Sequence, residues 1–220
     1  MIESKEDYID FLKKDKIALG IKLDTFGSKL LGTISPNPIY IFQKRMRRLE
    51  YFINCKNKGL NKLYIAYLKY RFKKISIKLG FSIPINVFGP GLAIVHYGTI
   101  VINSATKVGA NCRMHACVNI GASGGKPEAP KLDDNIYIAP GAKIYGNINI
   151  ANNTAIGANA VVNKSFKKEN TIIAGIPAKV IGDVDIKQII KHLNNRKLAN
   201  YTKWEKRYQI SIENPILAIT

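Results

Sequence analysis

The 220-residue sequence predicts a mainly β chain, a stack of short strands and turns flanked by helical segments. Aliphatic residues or Met stand at Ile102, Val108, Met114, Ile120, Leu132, Ile138, Ile144, Ile150, Ile156 and Val162, all in one register modulo six, with Lys126 the single break. Two positions before them sit small or aliphatic residues: Ile100, Thr106, Cys112, Val118, Ile136, Ala142, Ile148, Thr154 and Ala160. Helical periodicity is confined to the residues before Gly80 and after Asp185. Two inward residues in every six describe a short strand followed by a turn, and such a unit buries its apolar face only by stacking on the next.

Three helical patterns occupy residues 1–80. Ser4-Lys5-Glu6-Asp7 reads as an acidic helix start, with Tyr8, Ile9 and Leu12 at helical spacing behind it. Asn37-Pro38 reads as a cap with Pro in the opening turn, and Phe42, Met46, Leu49, Phe52 and Ile53 form one apolar stripe up to about Cys55. Tyr64, Tyr67, Leu68, Phe72, Ile75 and Leu79 form the next, ending at Gly80. The expected organisation is a helical domain over 1–80, a stacked-strand domain of roughly four coils over 81–182, and a helical extension over 183–220 that runs from Asp185 to about Leu198.

Composition narrows the class further. With 46% hydrophobic residues the chain can offset its conformational entropy by burial, which argues against disorder. Cys55, Cys112 and Cys117 are an odd three, so a disulfide framework is not expected and a reducing compartment is. Cys112 and Cys117 read as small core residues. Met1 to Lys16 shows neither a secretory signal nor a lipidation motif, so a cytoplasmic location is expected. The longest stretch free of Asp, Glu, Lys and Arg, Leu79 to Thr106, holds Pro84, Gly89, Pro90, Gly91 and His96 and cannot form a continuous apolar span.

Three segments in this register carry a resemblance. Val95 to Asn103 (VHYGTIVIN) resembles the Asp-His-Gly-x-Gly-x-Val-Ile-Gly stretch of the hexapeptide-repeat acyltransferases of the serine acetyltransferase type. Ile138 to Ile148 (IAPGAKIYGNI) is similar to their Ile-Gly-x-Gly-Ala-Lys-Ile-x-Gly-Asn-Ile, and Ala174 to Gly182 (AGIPAKVIG) resembles their closing segment. The resemblance covers residues 85–182. It implies a left-handed parallel β-helix of triangular section, a homotrimer with active sites between subunits, and acetyl-CoA as co-substrate with no metal.

The same resemblance places His96 at the position of the family's general base, which takes the proton of an acceptor hydroxyl as the oxygen attacks the acetyl thioester. Imidazole suits this task because it accepts and returns a proton near neutral pH. The register fails in Gly121 to Lys131 (GASGGKPEAPK), where the family projects a loop across the active-site mouth; Gly121, Gly124 and Gly125 would let backbone amides approach the acyl or pantetheine portion. Ala139, Gly157, Ala158 and Lys179 match the CoA-lining positions, and Lys143, Lys164, Lys167 and Lys168 are candidates for its phosphates. His115 should point outward, as a structural or cleft-lining side chain, and His192 reads as a surface residue of the charged tail.

Departures from the family pattern bear on the acceptor. Val95 stands where an Asp helps hold the substrate ammonium, Phe81 where an Asp orients the catalytic His, and Glu128-Ala129 where Arg-His hold the substrate carboxylate. A pocket without these contacts would leave the charges of free serine unpaired. A neutral acceptor beside Val95 and Tyr97, such as a sugar of a surface polysaccharide or its precursor, is therefore the expectation. Serine O-acetylation for cysteine synthesis is the alternative, and a non-catalytic hexapeptide-repeat scaffold a further one. A zinc-dependent carbonic anhydrase of the same repeat type would need three His, and the strands supply only His96 and His115.

Charge is the last feature. Lys and Arg total 34 against 15 Asp and Glu, a net of +19. Lys44-Arg45-Met46-Arg47-Arg48 and Arg71-Phe72-Lys73-Lys74 interleave charge with apolar residues and would suit contact with an anionic membrane surface. No nucleic-acid-binding module is recognisable, so nucleic acid is not an expected partner.

Overall fold

The computed structural model describes residues 1–21 and 37–194. Helix α1 (Lys5–Ala18) starts where the Ser4 hydroxyl accepts from the Asp7 backbone N–H at 3.0 Å, with Glu6 and Asp7 favourably placed at the positive helix end. Helix α2 (Pro38–Cys55) is capped by Asn37, whose side-chain oxygen accepts from the N–H groups of Ile39 and Tyr40. Helix α3 (Asn61–Leu79) stops at Gly80, which adopts a left-handed φ of 76°. The starts at Ser4 and Asn37 and the stops at Cys55 and Gly80 fall where the sequence predicts.

Beyond Gly80 the chain winds through five levels of short strands. The first level holds β1 (Phe81–Ser82) and β2 (Ala93–Ile94). The second holds β3 (Ile100–Ile102), β4 (Lys107–Val108) and β5 (Arg113–Met114), and the third β6 (Asn119–Gly121), β7 (Lys131–Leu132) and β8 (Tyr137–Ile138). The fourth holds β9 (Lys143–Tyr145), β10 (Asn149–Ile150) and β11 (Ala155–Ile156), and the fifth β12 (Val161–Val162) and β13 (Thr171–Gly175). Strand β14 (Ala178–Asp183) turns back antiparallel to β13. Three parallel sheets result: β1-β3-β6-β9-β12, β4-β7-β10 and β2-β5-β8-β11-β13, the last closed by β14. Phe88 and Phe166 bridge to Val108 and Ile150, adding an upper and a lower level to the second sheet.

Every hexad position named from the sequence is buried, as are the nine residues two places before them. The level count is five where the register suggests roughly four coils, because the first level does not keep the period. Ile94 pairs with Met114 and Phe81 with Ile100, offsets of 20 and 19 residues, whereas the lower coil from Ile138 to Ile156 takes 18. One corner column is built from residues that tolerate left-handed backbone: Gly91, Asn111, Asn135 and Asn153. Asn111 donates to Asn135 and Asn135 to Asn153, each at 2.9 Å, so the corner is laced by side-chain amides.

The helices are not a separate body. Ile39, Phe42 and Met46 of α2 and Ile75 and Leu79 of α3 belong to the same apolar cluster as the β core, and the Phe42 ring meets Phe81 edge-on at 5.0 Å. A buried polar network joins the two parts. The Arg47 guanidinium donates to Asp15 at 2.8 Å, to Glu50 at 3.1 Å, and to the carbonyls of Phe88 and Gly89 at 2.8 and 2.7 Å. Asp15 in turn accepts from the N–H groups of Gly91 and Leu92, and Glu50 from that of Asn86. The top of a strand stack presents unpaired backbone groups, and here helix side chains satisfy them. Burial alone would lower the Arg47 pKa, but Asp15 and then Glu50 outweigh it and hold the group charged above its ordinary range. The Lys44–Arg48 segment therefore does not present a uniformly cationic face to solvent, since Arg47 is fully buried.

At the other end Asp185 caps the short helix α4 (Ile186–Ile189), and Ile186 and Ile190 pack on Ala155 with Tyr137 and Ile172 around them. A 3-10 turn, Lys191–Asn194, follows; the rest of the extension expected to Leu198 lies outside the described residues. His192 departs from the surface expectation. It is half-buried, with its ring 3.5 Å from the Asn111 side-chain oxygen, and burial followed by the Arg113 charge holds its pKa down to about 4. Protonation of this ring is thus disfavoured in the folded chain relative to the unfolded one, whose ordinary value is 6.5. Stability is present above pH 6.5 and is lost as pH falls toward 4. Denaturation midpoints measured across that window should fall less steeply in His192→Gln than in the parent chain.

Cys117 also departs from expectation: it is exposed, at a corner with φ of 63°. Cys112 is buried as expected, and burial pushes its thiol up to about 12. No helix among the described residues is long and apolar enough to cross a membrane.

Candidate active site

Two insertions interrupt the coils, and both mark the site. Six positions separate Met114 from Ile120, Ile138 from Ile144 and Ile156 from Val162, but eight separate the equivalent Ile94 and Ile102. The two extra residues fall in the corner Val95 to Thr99, so this corner bulges where the corners below it turn tightly. His96 and Tyr97 ride on the bulge, both exposed, Tyr97 at 69%. The base of the bulge is fixed. Val95 donates its N–H to Met114 at 3.0 Å, Gly98 to Leu79 at 3.0 Å, and Ile100 to Gly80 at 3.1 Å, so the end of α3 is stitched to the corner that carries His96. Gly80 is required there: a Cβ would sit 3.0 Å from the Gly98 carbonyl oxygen on a backbone already at positive φ.

The rings of His96, His115 and Tyr137 make successive contacts. The His96 and His115 centroids are 5.7 Å apart, and Tyr137 meets His115 edge-on at 5.4 Å. Burial, then the charge of Arg113 and the His96 ring, lowers the His115 pKa, which favours the neutral imidazole. Tyr137 escaped the sequence reading, although its place one residue before the inward Ile138 puts it on the outer face beside His115. No carboxylate among the described residues hydrogen-bonds to His96. Phe81 is buried against Phe42 in the core.

Backbone pairing places two of the candidate CoA positions, Ala139 and Gly157, in one column. His115 donates its N–H to Ile138, Ala139 to Ile156 and Gly157 to Ile173, so Val95, His115, Ala139 and Gly157 stack one above the other. The column continues to Ala174, whose antiparallel partner is Lys179. Ala158 follows Gly157 at the corner and is exposed, as is Lys179. Small residues keep this column shallow, and at Gly157 a Cβ would lie 2.7 Å from that of Ala174.

Gly121 is not in this column. It lies at the far edge of the β1-β3-β6-β9-β12 sheet, where twelve positions separate Ile120 from Leu132 in place of six. The extra six residues form an exposed loop, with Gly124 and Gly125 at φ of 62° and 73°, before Ala129 and Pro130 return to the interior. The length of one three-residue strand, about 10 Å, separates this loop from the His96 corner of the same chain. Among the candidate phosphate lysines, Lys143 donates to the Cys117 carbonyl at 2.6 Å, Lys164 lies over the Phe166 ring and Lys168 pairs with Asp183 at 2.7 Å. Lys167 is exposed. No group of three or more His, Cys, Asp or Glu that could hold a metal occurs among the described residues.

Comparison with known proteins bears on the fold. No family model matches the chain. A serine O-acetyltransferase from Brucella melitensis superimposes with a TM-score of 0.63 at 24% identity, over 81% of this chain and 71% of its own. The chain has the left-handed hexapeptide-repeat fold of the serine acetyltransferases. A Brucella abortus serine acetyltransferase solved with coenzyme A superimposes with a TM-score of 0.61 at 24% identity, covering 82% and 70% of the two chains. In sequence, the serine acetyltransferase of Staphylococcus xylosus is 37% identical over 113 residues, 50% of this chain and 51% of its own length. That of Staphylococcus epidermidis is 37% identical over 120 residues, 53% of each chain. The chain thus spans about half the length of the curated serine acetyltransferases it matches.

Proposed function

We propose that this chain is an acetyl-CoA-dependent O-acetyltransferase and that its acceptor is L-serine. The observation that carries the reading is the placement of His96 on an extended corner at the head of a column of small residues, in a fold shared with serine acetyltransferases. His96 is the catalytic base. Its ring takes the proton of the acceptor hydroxyl while the hydroxyl oxygen forms a bond to the acetyl carbonyl carbon. The carbon–sulfur bond then breaks, and the same proton passes from His96 to the departing thiolate. No covalent enzyme intermediate is needed, and the two substrates must be bound together.

Ala139, Gly157, Ala158 and Lys179 would line the path of the CoA arm. The fit rests on the small side chains of Ala139, Gly157 and Ala174 below His115 in that column, with Lys179 beside its far end. The Gly121 loop is too far from His96 in its own chain, so a second copy in a homotrimer would supply it across the subunit boundary. Val95 and Tyr97 would flank the acceptor. His115 acts as a positioning residue: with Phe81 in the core, the neutral His115 ring, backed by Tyr137, is what limits the orientations open to His96.

The sugar acceptor expected from Val95 and Tyr97 finds no support among the similar proteins, whereas the serine alternative does: the curated relatives matched here are named serine acetyltransferases. The apolar residues at Val95 and Ala129 still remove two contacts to the zwitterion. A high KM for L-serine with little loss of kcat is the expected signature, because such contacts hold ground state and transition state alike. Release of free thiol from acetyl-CoA, followed with L-serine, with a panel of sugars and without acceptor, tests the reading. Turnover with L-serine alone is expected; turnover confined to a sugar would replace the acceptor, and silence throughout would favour a scaffold.

A further inference from the structure

Helix α3 has a second apolar face that the fold does not use. Ile65, Leu68, Ile75 and Leu79 point inward and are buried. On the opposite side Leu63, Tyr70 and Ile77 are 74%, 61% and 69% exposed, with Tyr67 beside them at 48%. At about 100° per residue, Leu63, Ala66, Tyr70 and Ile77 fall within a strip roughly 60° wide. Lys62, Lys69 and Lys73 border it on one side, and Arg71, Lys74 and Lys78 on the other. The helix contains no Asp or Glu in its 19 residues. A strip of Leu, Ile and Tyr bordered by lysines is the pattern of a helix that lies in the headgroup layer, its apolar residues in the acyl boundary and its lysine stems reaching back to phosphates.

We infer that this outward face of α3 docks the folded chain on a bilayer containing anionic phospholipid. Charge selects this occupant over a second copy of the chain, since two such faces brought together would oppose six cations with six and offer no acidic partner. Nucleic acid would satisfy the cations but leave Leu63 and Ile77 unpaired at the centre of the contact. The inward face is held by α2 and the β core, so docking requires no unfolding and is peripheral. Arg47 takes no part, because it is buried in its ion pairs.

Flotation of the full chain with phosphatidylcholine vesicles, with and without phosphatidylglycerol, tests the inference. Binding is expected only with the anionic lipid and should weaken as salt is raised. Lys73→Gln with Lys74→Gln should reduce partitioning on the order of tenfold or more, and Leu63→Glu with Tyr70→Glu should abolish it. These four side chains are exposed and lie outside the proposed catalytic machinery, so an unchanged melting transition and unchanged thiol release are the controls. Equal binding to both vesicle types, no binding to either, or binding that survives Leu63→Glu with Tyr70→Glu would overturn the inference. So would a change of oligomer size in those variants, or binding to duplex DNA that needs the lysines but not Leu63 and Tyr70.

Discussion

His96→Ala is expected to lower acetyl transfer about a hundredfold or more while leaving the melting transition nearly unchanged. A positioned general base contributes roughly two to four orders of magnitude. The side chain is exposed and hydrogen-bonds to no carboxylate among the described residues, so little folding energy goes with it. The corner itself is held by backbone bonds from Val95, Gly98 and Ile100, none of which involves the imidazole. A variant that unfolds would show that His96 is structural, and one that turns over at the parental rate would show that it is not the base. His115→Ala separates positioning from chemistry: a smaller fall in kcat, with KM for acetyl-CoA unchanged and a displaced pH profile, is expected.

Arg47→Met should be the most destabilising single change, costing about 3–5 kcal/mol in a denaturant titration. The guanidinium is fully buried, and removing it leaves the Asp15 and Glu50 carboxylates and the Phe88 and Gly89 carbonyls short of a partner in a dry interior. These groups fasten α1 and α2 to the first strand level, directly before β2 and the His96 corner. Loss of activity is therefore expected with the loss of stability, and it should be recovered at low temperature where the variant remains folded. A loss below about 1 kcal/mol, the range of a surface ion pair, would contradict this role.

The stacked strands were legible because each hexad repeats one physical demand, two inward residues and a turn, many times over. The helix caps at Ser4, Asn37 and Gly80 were legible for a similar reason: each satisfies orphan backbone groups with a local side chain or a left-handed turn. The first level lies inside the expected strand domain but outside the hexad register, because its corner carries two extra residues that shift Ile94. That same shift was the available signal for the projecting corner. Arg47 reads as part of a charged surface in the sequence because three of its four partners, Asp15 and the carbonyls of Phe88 and Gly89, lie 32 or more residues away, Glu50 alone being local. His192 was misjudged likewise, since Asn111 is 81 positions distant. The contact of His115 with Tyr137 is diagonal, since the register pairs Tyr137 with Arg113 and sets Ala139 below His115, so stacking alone does not give it.

Whether His96 moves an acetyl group is tested most directly by mass analysis of the acceptor after incubation of the chain with acetyl-CoA and L-serine. Acetyl carried on the serine hydroxyl by the parent chain, with almost none from His96→Ala, is the expected result. Equal product from both chains, or none from either with any acceptor, would contradict it.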